Sequence, residues 1–163
     1  MQLTGKQIIE KQIINNYCEE GIQQQGLDVR LDSVSHVQGS GVIPAAGKTK
    51  PCATQSIRDI DGVYVLSPGY YEVTLMESCL IPSNYCLHYK TRSSLVRCGA
   101  LVHSGQFDAG FKTDKMGCFL QVLKPIRIEK GARIAQAIVF ETAAVDEQDL
   151  YDGQWQNDKQ RTK

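Results

Sequence analysis

Apolar positions along this chain follow two periods. Near the start, Ile9, Ile13 and Tyr17 recur at helical spacing, and Ile8 and Ile14 widen the stripe. Thr4 and Gln7 stand ahead of it as a capping box, so residues 5–16 are predicted to form the one clear helix. After Gly21 the period shortens to two. Leu27, Val29 and Leu31 alternate with Asp28 and Arg30, which predicts a strand. Residues 38–62 interrupt the pattern with glycines, Pro44, Pro51 and scattered polar residues. They predict a long irregular excursion with room for one short strand. From Val63 onward short apolar runs return, at 63–66, 71–75, 79–81, 85–89, 118–123, 126–128 and 132–140. Ser67-Pro68-Gly69, Pro82-Ser83-Asn84 and Glu129-Lys130-Gly131 punctuate them as turns. Many short strands at this spacing predict an all-β sandwich or barrel. The barrel domain is expected to span 1–142. Residues 143–163 are polar and charged, with Tyr151 and Trp155 as their only aromatics. They are expected to form a mobile tail unless a ligand or neighbour orders them.

Composition narrows the class. A chain of 163 residues, 42% of them hydrophobic, fits one domain with a core that needs no disulfide or metal staple. Lys plus Arg total 18 and Asp plus Glu total 18, so the net charge is zero. That argues against a protein that coats nucleic acid, but leaves room for a small basic pocket facing a phosphorylated small molecule. No apolar run approaches the roughly 18 residues of a membrane span. The start, Met1 to Lys6, lacks the apolar core of a signal peptide. Six cysteines at 18, 52, 79, 86, 98 and 118 form no Cys-x-x-Cys pair, and most sit in apolar strand-like runs. They read as reduced, buried thiols of a cytoplasmic protein. His36, His88 and His103 lack zinc-ligand spacing, and the zinc deaminase signature is missing, so no zinc is expected.

Four segments offer chemistry. Thr91-Arg92-Ser93-Ser94-Leu95-Val96-Arg97 combines a guanidinium fork with two hydroxyls, which suits phosphate oxygens; a solvated turn reads equally simply. In His103-Ser104-Gly105-Gln106-Phe107-Asp108-Ala109-Gly110-Phe111, glycines flank a carboxylate at the mouth of a hairpin. Asp108 could orient and deprotonate a water, or merely cap a turn. Gln25-Gly26-Leu27-Asp28-Val29-Arg30-Leu31 and Gly131-Ala132-Arg133-Ile134-Ala135-Gln136-Ala137-Ile138-Val139-Phe140 each place polar side chains inside an apolar strand. Asp28 and Gln136 there need partners.

In this order and spacing, the four segments resemble the motifs of the family that contains dUTP diphosphatases and dCTP deaminases. Gln-Gly-Leu-Asp-Val-Arg-Leu looks like the first motif, Thr-Arg-Ser-Ser-Leu the second, Phe-Asp-Ala-Gly-Phe the third and Gly-x-Arg-Ile-x-Gln-x-Ile-x-Phe the fourth. The Met1-Gln2-Leu3-Thr4 start, Leu95, Arg97 and the Tyr151-Asp152-Gly153-Gln154-Trp155-Gln156 tail resemble the deaminase branch. The likeness covers roughly 1–36 and 63–156. It implies a distorted jelly-roll β-barrel of the β-clip type with a short N-terminal helix. It also implies a homotrimer with sites between subunits, and a deoxypyrimidine triphosphate substrate carrying Mg²⁺. By the same resemblance, Asp108 positions and deprotonates the attacking water, and Arg92, Ser93, Ser94 and Gln136 hold phosphates. Asp28 organises the metal and phosphate region. Gly105, Gln106 and Phe107 read the pyrimidine through their backbone, and Phe111 lies against the deoxyribose. Tyr151, Gln154 and Trp155 belong to a closing tail, with Lys159 and Arg161 in reach of phosphates.

Departures from the family pattern decide between its two activities. Deaminases need a Glu after the third motif, paired with an Arg that Arg97 matches. An ungapped register puts Cys118 at the place of that Glu; anchoring on Gly117 puts Val122 there. No carboxylate lies from Lys115 to Lys124, and Asp114 is the nearest acid. Thr113 and Ala135 replace usual motif glycines, and the glycine-rich lid of many diphosphatases is missing. The reading expected is dUTP hydrolysis to dUMP and pyrophosphate. The alternatives are dCTP deamination, alone or combined with hydrolysis, and a non-catalytic trimeric binding protein on the same fold.

Overall fold

The computed structural model describes residues 1–156. Thr4 opens helix α1 (Gly5–Glu10): its Oγ1 accepts from the Gln7 amide at 3.3 Å, while Gln7 Oε1 accepts from the Thr4 amide at 2.9 Å. The predicted capping box is therefore present, but the helix ends at Glu10 instead of residue 16. Gln12 adopts a left-handed φ of 55°. The Gln12 and Ile13 amides donate back to the Ile9 and Ile8 carbonyls at 2.8 and 3.1 Å. That bond pair is a Schellman stop, which glycine usually signals. With Gln in that place the sequence shows no stop. The reversal buries Ile13 and Ile14 in the core.

Strands make up most of the rest. They are β1 (Ile14–Asn15), β2 (Ile22–Gln23), β3 (Gly26–Gln38), β4 (Ala53–Ile57), β5 (Val63–Leu66), β6 (Gly69–Leu75), β7 (Ser78–Leu80) and β8 (Tyr85–Thr91). A short helix α2 (Ser93–Arg97) precedes β9 (Ala100–His103), β10 (Lys112–Thr113), β11 (Gly117–Val122), β12 (Ile126–Glu129) and β13 (Arg133–Glu141). The main sheet runs β8-β13-β3-β6-β11-β9, with β2 and β4 added alongside β3. Its two ends approach each other: the Thr91 hydroxyl on β8 accepts from the Val102 amide on β9 at 2.9 Å and donates to the Val102 carbonyl at 3.2 Å. The sheet thus curls into a nearly closed barrel, the all-β architecture expected.

Period-two patterning explains the core. On β11, Cys118, Leu120 and Val122 point inward, while Phe119 and Gln121 are half-buried on the outer face. β3 extends well past the predicted 27–31. Its first part pairs with β13 and its second with β6, and a register shift between Leu31 and Ser33 marks the change. β4 is the one short strand of the 38–62 excursion, paired with Val34–Gln38. Glu77, fully buried, accepts from the Arg30 amide at 2.9 Å and from its Nε at 2.7 Å, which ties β3 to the corner before β7. Burial pushes that carboxyl's pKa up, and the bonds from Arg30 pull it back.

One expectation needs correcting. None of the six cysteines forms a disulfide, but only Cys79 and Cys118 are buried; Cys18, Cys52 and Cys86 are half-buried and Cys98 is exposed. Burial lifts the Cys79 thiol to about 12. The tail from 143 to 156 lies back on its own barrel, its Val145 amide donating to the Ser83 carbonyl at 2.9 Å. Lys159 and Arg161, expected near phosphates, lie outside the described residues. Among the described residues no helix is long and apolar enough to cross a membrane.

Candidate active site

The residues singled out from the sequence gather in two groups. The first sits where β3 and β13 meet the end of β8. A register shift between Arg133 and Ala135 sets Arg133 opposite Arg30, while Gln136 stands opposite Asp28. Residues three apart on a regular strand face opposite ways; the bulge puts Arg133 and Gln136 on the face that carries Asp28. Asp28 is almost fully buried. Its Oδ2 lies 3.0 Å from Arg92 Nε and 3.4 Å from Arg133 Nη1. Arg92 Nη1 also donates to the Arg133 carbonyl at 2.9 Å, and Arg133 Nη1 donates to the Glu20 carbonyl. Burial raises the Asp28 pKa, opposed by the two guanidiniums. One carboxylate between two guanidiniums leaves a net positive charge when all are ionised. Both Arg side chains remain about 30% exposed, at 28% and 32%, so the charge meets solvent. Ser93 and Ser94 follow Arg92 on the exposed first turn of α2. Beside them Ser94, Leu95, Arg127, Glu129 and Arg133 line a cleft of ≈ 280 Å³. Arg97 is exposed at the far end of α2.

The second group lies toward the start of β8. The segment 104–116, which includes β10, connects the paired strands β9 and β11. Phe107 pairs with Leu87 of β8 in both directions, at 2.7 and 3.0 Å. A turn follows, closed by the Phe111 amide donating to the Asp108 carbonyl at 3.0 Å, with Gly110 at φ 89°. Asp108 is exposed, and Gln106 Nε2 donates to its Oδ1 at 2.8 Å. Its charge reaches Cys86, whose thiol pKa is raised first by burial and then by Asp108. A cleft of ≈ 370 Å³ opens beside it, lined by Tyr85, Gln106, Asp108, Thr142, Asp149 and Tyr151. Edge-to-face rings run from Tyr89 to Phe107, Phe111 and Tyr151, with centroids 5.3, 5.1 and 5.6 Å apart. Gly105 is exposed at the loop's outer edge. Gln154 Nε2 donates to the Thr49 carbonyl at 2.8 Å, and Trp155 remains 39% exposed.

The two groups stand at opposite ends of one strand. From Leu87, beside Phe107, to Arg92 is five residues, roughly 15–20 Å along a strand. One chain therefore offers an acid toward one end of β8 and a cationic cluster at the other. Among the described residues no three His, Cys, Asp or Glu side chains converge as a metal cage. Asp28, the acid expected near metal, is taken up by its two guanidiniums. Magnesium carried on phosphates with its own waters needs no such cage. Two contributors went unassigned from sequence. Arg133 stood inside the fourth motif, and its partner Asp28 was already in view. Gln156 stood in the tail motif, and nothing local marked it.

The profile of the dCTP deaminase-like family matches residues 2–143. The chain belongs to this family. A probable deoxyuridine 5'-triphosphate nucleotidohydrolase of Halobacterium salinarum is 32% identical over 151 residues, covering 90% of this chain and 89% of that protein. The deoxyuridine 5'-triphosphate nucleotidohydrolase of Methanocaldococcus jannaschii is 32% identical over 146 residues, covering 88% and 92%. Among solved structures, the 2'-deoxycytidine 5'-triphosphate deaminase of Agrobacterium tumefaciens shares the fold, with a TM-score of 0.62 at 20% identity. The match covers 85% of this chain, which spans about half, 47%, of that deaminase. In this dCTP deaminase-like chain both places considered for the deaminase Glu, Cys118 and Val122, lie buried on the inward face of β11. Asp114 is exposed on the hairpin before that strand.

Proposed function

We infer that this protein hydrolyses dUTP to dUMP and pyrophosphate. The observation that carries the reading is the pairing of an exposed, oriented acid with a net-positive arginine cluster, while β11 offers no inward carboxylate. Nucleotidohydrolase relatives at 32% identity over nearly the whole chain support it. Water attacks the α-phosphorus, and its proton passes to Asp108. The bond from that phosphorus to the bridging oxygen breaks, and pyrophosphate leaves with the electron pair. Arg92, Arg133, Ser93, Ser94 and Gln136 hold the phosphate chain and meet the charge that builds on it. Magnesium, when carried on the triphosphate, would neutralise part of that charge.

The separation of the two groups along β8 supports a site shared between copies of the chain, one giving Asp108 and another the arginines. A homotrimer satisfies this, with a mass three times the chain's 18.1 kDa. The 1–142 barrel then forms the body of each site. Gly105, Gln106 and Phe107 face the base, and Phe111 the deoxyribose. The tail from 143, with Tyr151, Gln154 and Trp155, closes over it. Six cysteines outside any disulfide support a reducing, cytoplasmic setting. The test incubates the protein with Mg²⁺ and either dUTP or dCTP, and measures pyrophosphate and ammonia together. Pyrophosphate from dUTP without ammonia from dCTP is expected. Ammonia from dCTP alone would move the reading to deamination through Arg97. Neither product, with no nucleotide binding by calorimetry, would leave a non-catalytic trimer.

A further inference from the structure

The turn that carries Asp108 is fastened on two sides. Ile81 holds the inner side: the Gly110 amide donates to the Ile81 carbonyl at 2.8 Å, and the Ile81 amide donates to the Phe111 carbonyl at 2.9 Å. The tail holds the outer side. The Tyr151 amide donates to the Ala109 carbonyl at 2.8 Å. Gln156 Nε2 donates to the Gly110 carbonyl at 2.9 Å and to the Tyr151 carbonyl at 3.0 Å. Its Oε1 accepts from the Lys112 amide at 2.8 Å. A single side chain thus satisfies a carbonyl and an amide of the turn and a carbonyl of the tail. Gly110 gives independent testimony to the closeness of the fit. A Cβ there would lie 2.8 Å from Leu150 Cβ and 2.9 Å from the Tyr151 nitrogen.

We propose that Gln156 is a positioning residue, clipping the tail to the 108–112 turn and thereby fixing where the Asp108 carboxylate points. The role in holding the water rests on the hydrolase reading; the clip itself does not. Without the amide of Gln156, the Gly110 carbonyl and Lys112 amide turn to water, and the turn stays fastened through Ile81, Tyr151 and the pairing of Lys112 with Leu80. Misplacement of a reacting group by a fraction of an ångström slows the chemical step more than it weakens substrate binding.

Full-length Gln156→Met and Gln156→Glu test this, with residue-resolved amide exchange and dUTP kinetics on each. Met keeps the length but has no amide. Its Lys112 amide is expected to exchange faster, and kcat to fall about tenfold with KM within about twofold. Glu keeps the acceptor for Lys112 and loses the donor to Gly110. Lys112 should stay protected there, with kcat between Met and wild type. Unchanged Lys112 exchange in the Met variant overturns the clip. Faster exchange with unchanged kcat overturns its positioning role. A wild type that makes no pyrophosphate from dUTP overturns the hydrolase reading and the water-holding role together, and Lys112 exchange then judges the clip alone.

Discussion

The two ends of β8 solve the same problem in opposite ways. At the Arg92 end, Asp28 and Arg133 stand on strands and Arg92 at the junction of β8 and α2: Asp28 is buried between the two guanidiniums, and a bulge in β13 aims that of Arg133. At the Leu87 end the acid is exposed on a turn, and order comes from main-chain bonds to Ile81 and the tail. A cationic cluster that holds phosphate can be prefolded into a sheet. An acid that meets water must stay solvated, so its aim depends on the backbone beneath it. Under the proposed hydrolysis, rate is set at one end and affinity at the other.

Substitutions can break that division. Asp108→Asn removes the proposed base but not the fold, and kcat for dUTP should drop by about 10²–10⁴-fold with an unchanged melting profile. Unaltered turnover would assign the proton to another group. At the opposite end, Arg92→Ala should act on KM, raising it about tenfold to a hundredfold as charged bonds to phosphate are lost. A fall in kcat alone would erase the distinction between the two ends. Gly110→Ala tests how tightly the tail bears on the acid's turn. With φ at 89° and the tail against that position, it should cost more than about 1 kcal/mol in denaturant unfolding. An unaffected midpoint would mean that the tail yields easily.

The smallest effect concerns Asp28 and pH. Burial raises its pKa above the ordinary carboxylate value, in spite of Arg92 and Arg133. The folded chain then binds that proton more tightly than the unfolded chain, so ionising Asp28 works against folding. As pH climbs from the ordinary carboxylate value through the raised one, wild type should lose stability relative to Asp28→Asn. Melting curves of both proteins across that window read the sign. Wild type gaining ground instead would show that the guanidiniums outweigh burial.

Much of the site was legible because its residues sit in short, ordered motifs on strands whose alternation is plain. Asp28 and Gln136 stood out as polar residues in apolar runs, and they face each other across β3 and β13. Other features were hidden for definite reasons. Helix α1 stops at a left-handed Gln12, where side-chain pattern continues but backbone geometry does not. Helix α2 spans only five residues, too few for a period to show. Cys98 is exposed because it caps that helix instead of lying in a strand. Glu77 gave no signal of burial, since its partner Arg30 is forty-seven positions away.

By itself the sequence determined the all-β class, the order of the motifs and the kinds of side chain available for chemistry, because alternation and motif spacing are local properties. Tertiary structure decided which of those side chains meet. It joined Arg133 to Asp28 through a bulge, set Asp108 a strand's length from Arg92, and laid Gln156 on the turn that carries the acid. Each depends on register and chain return, which no local stretch of residues encodes.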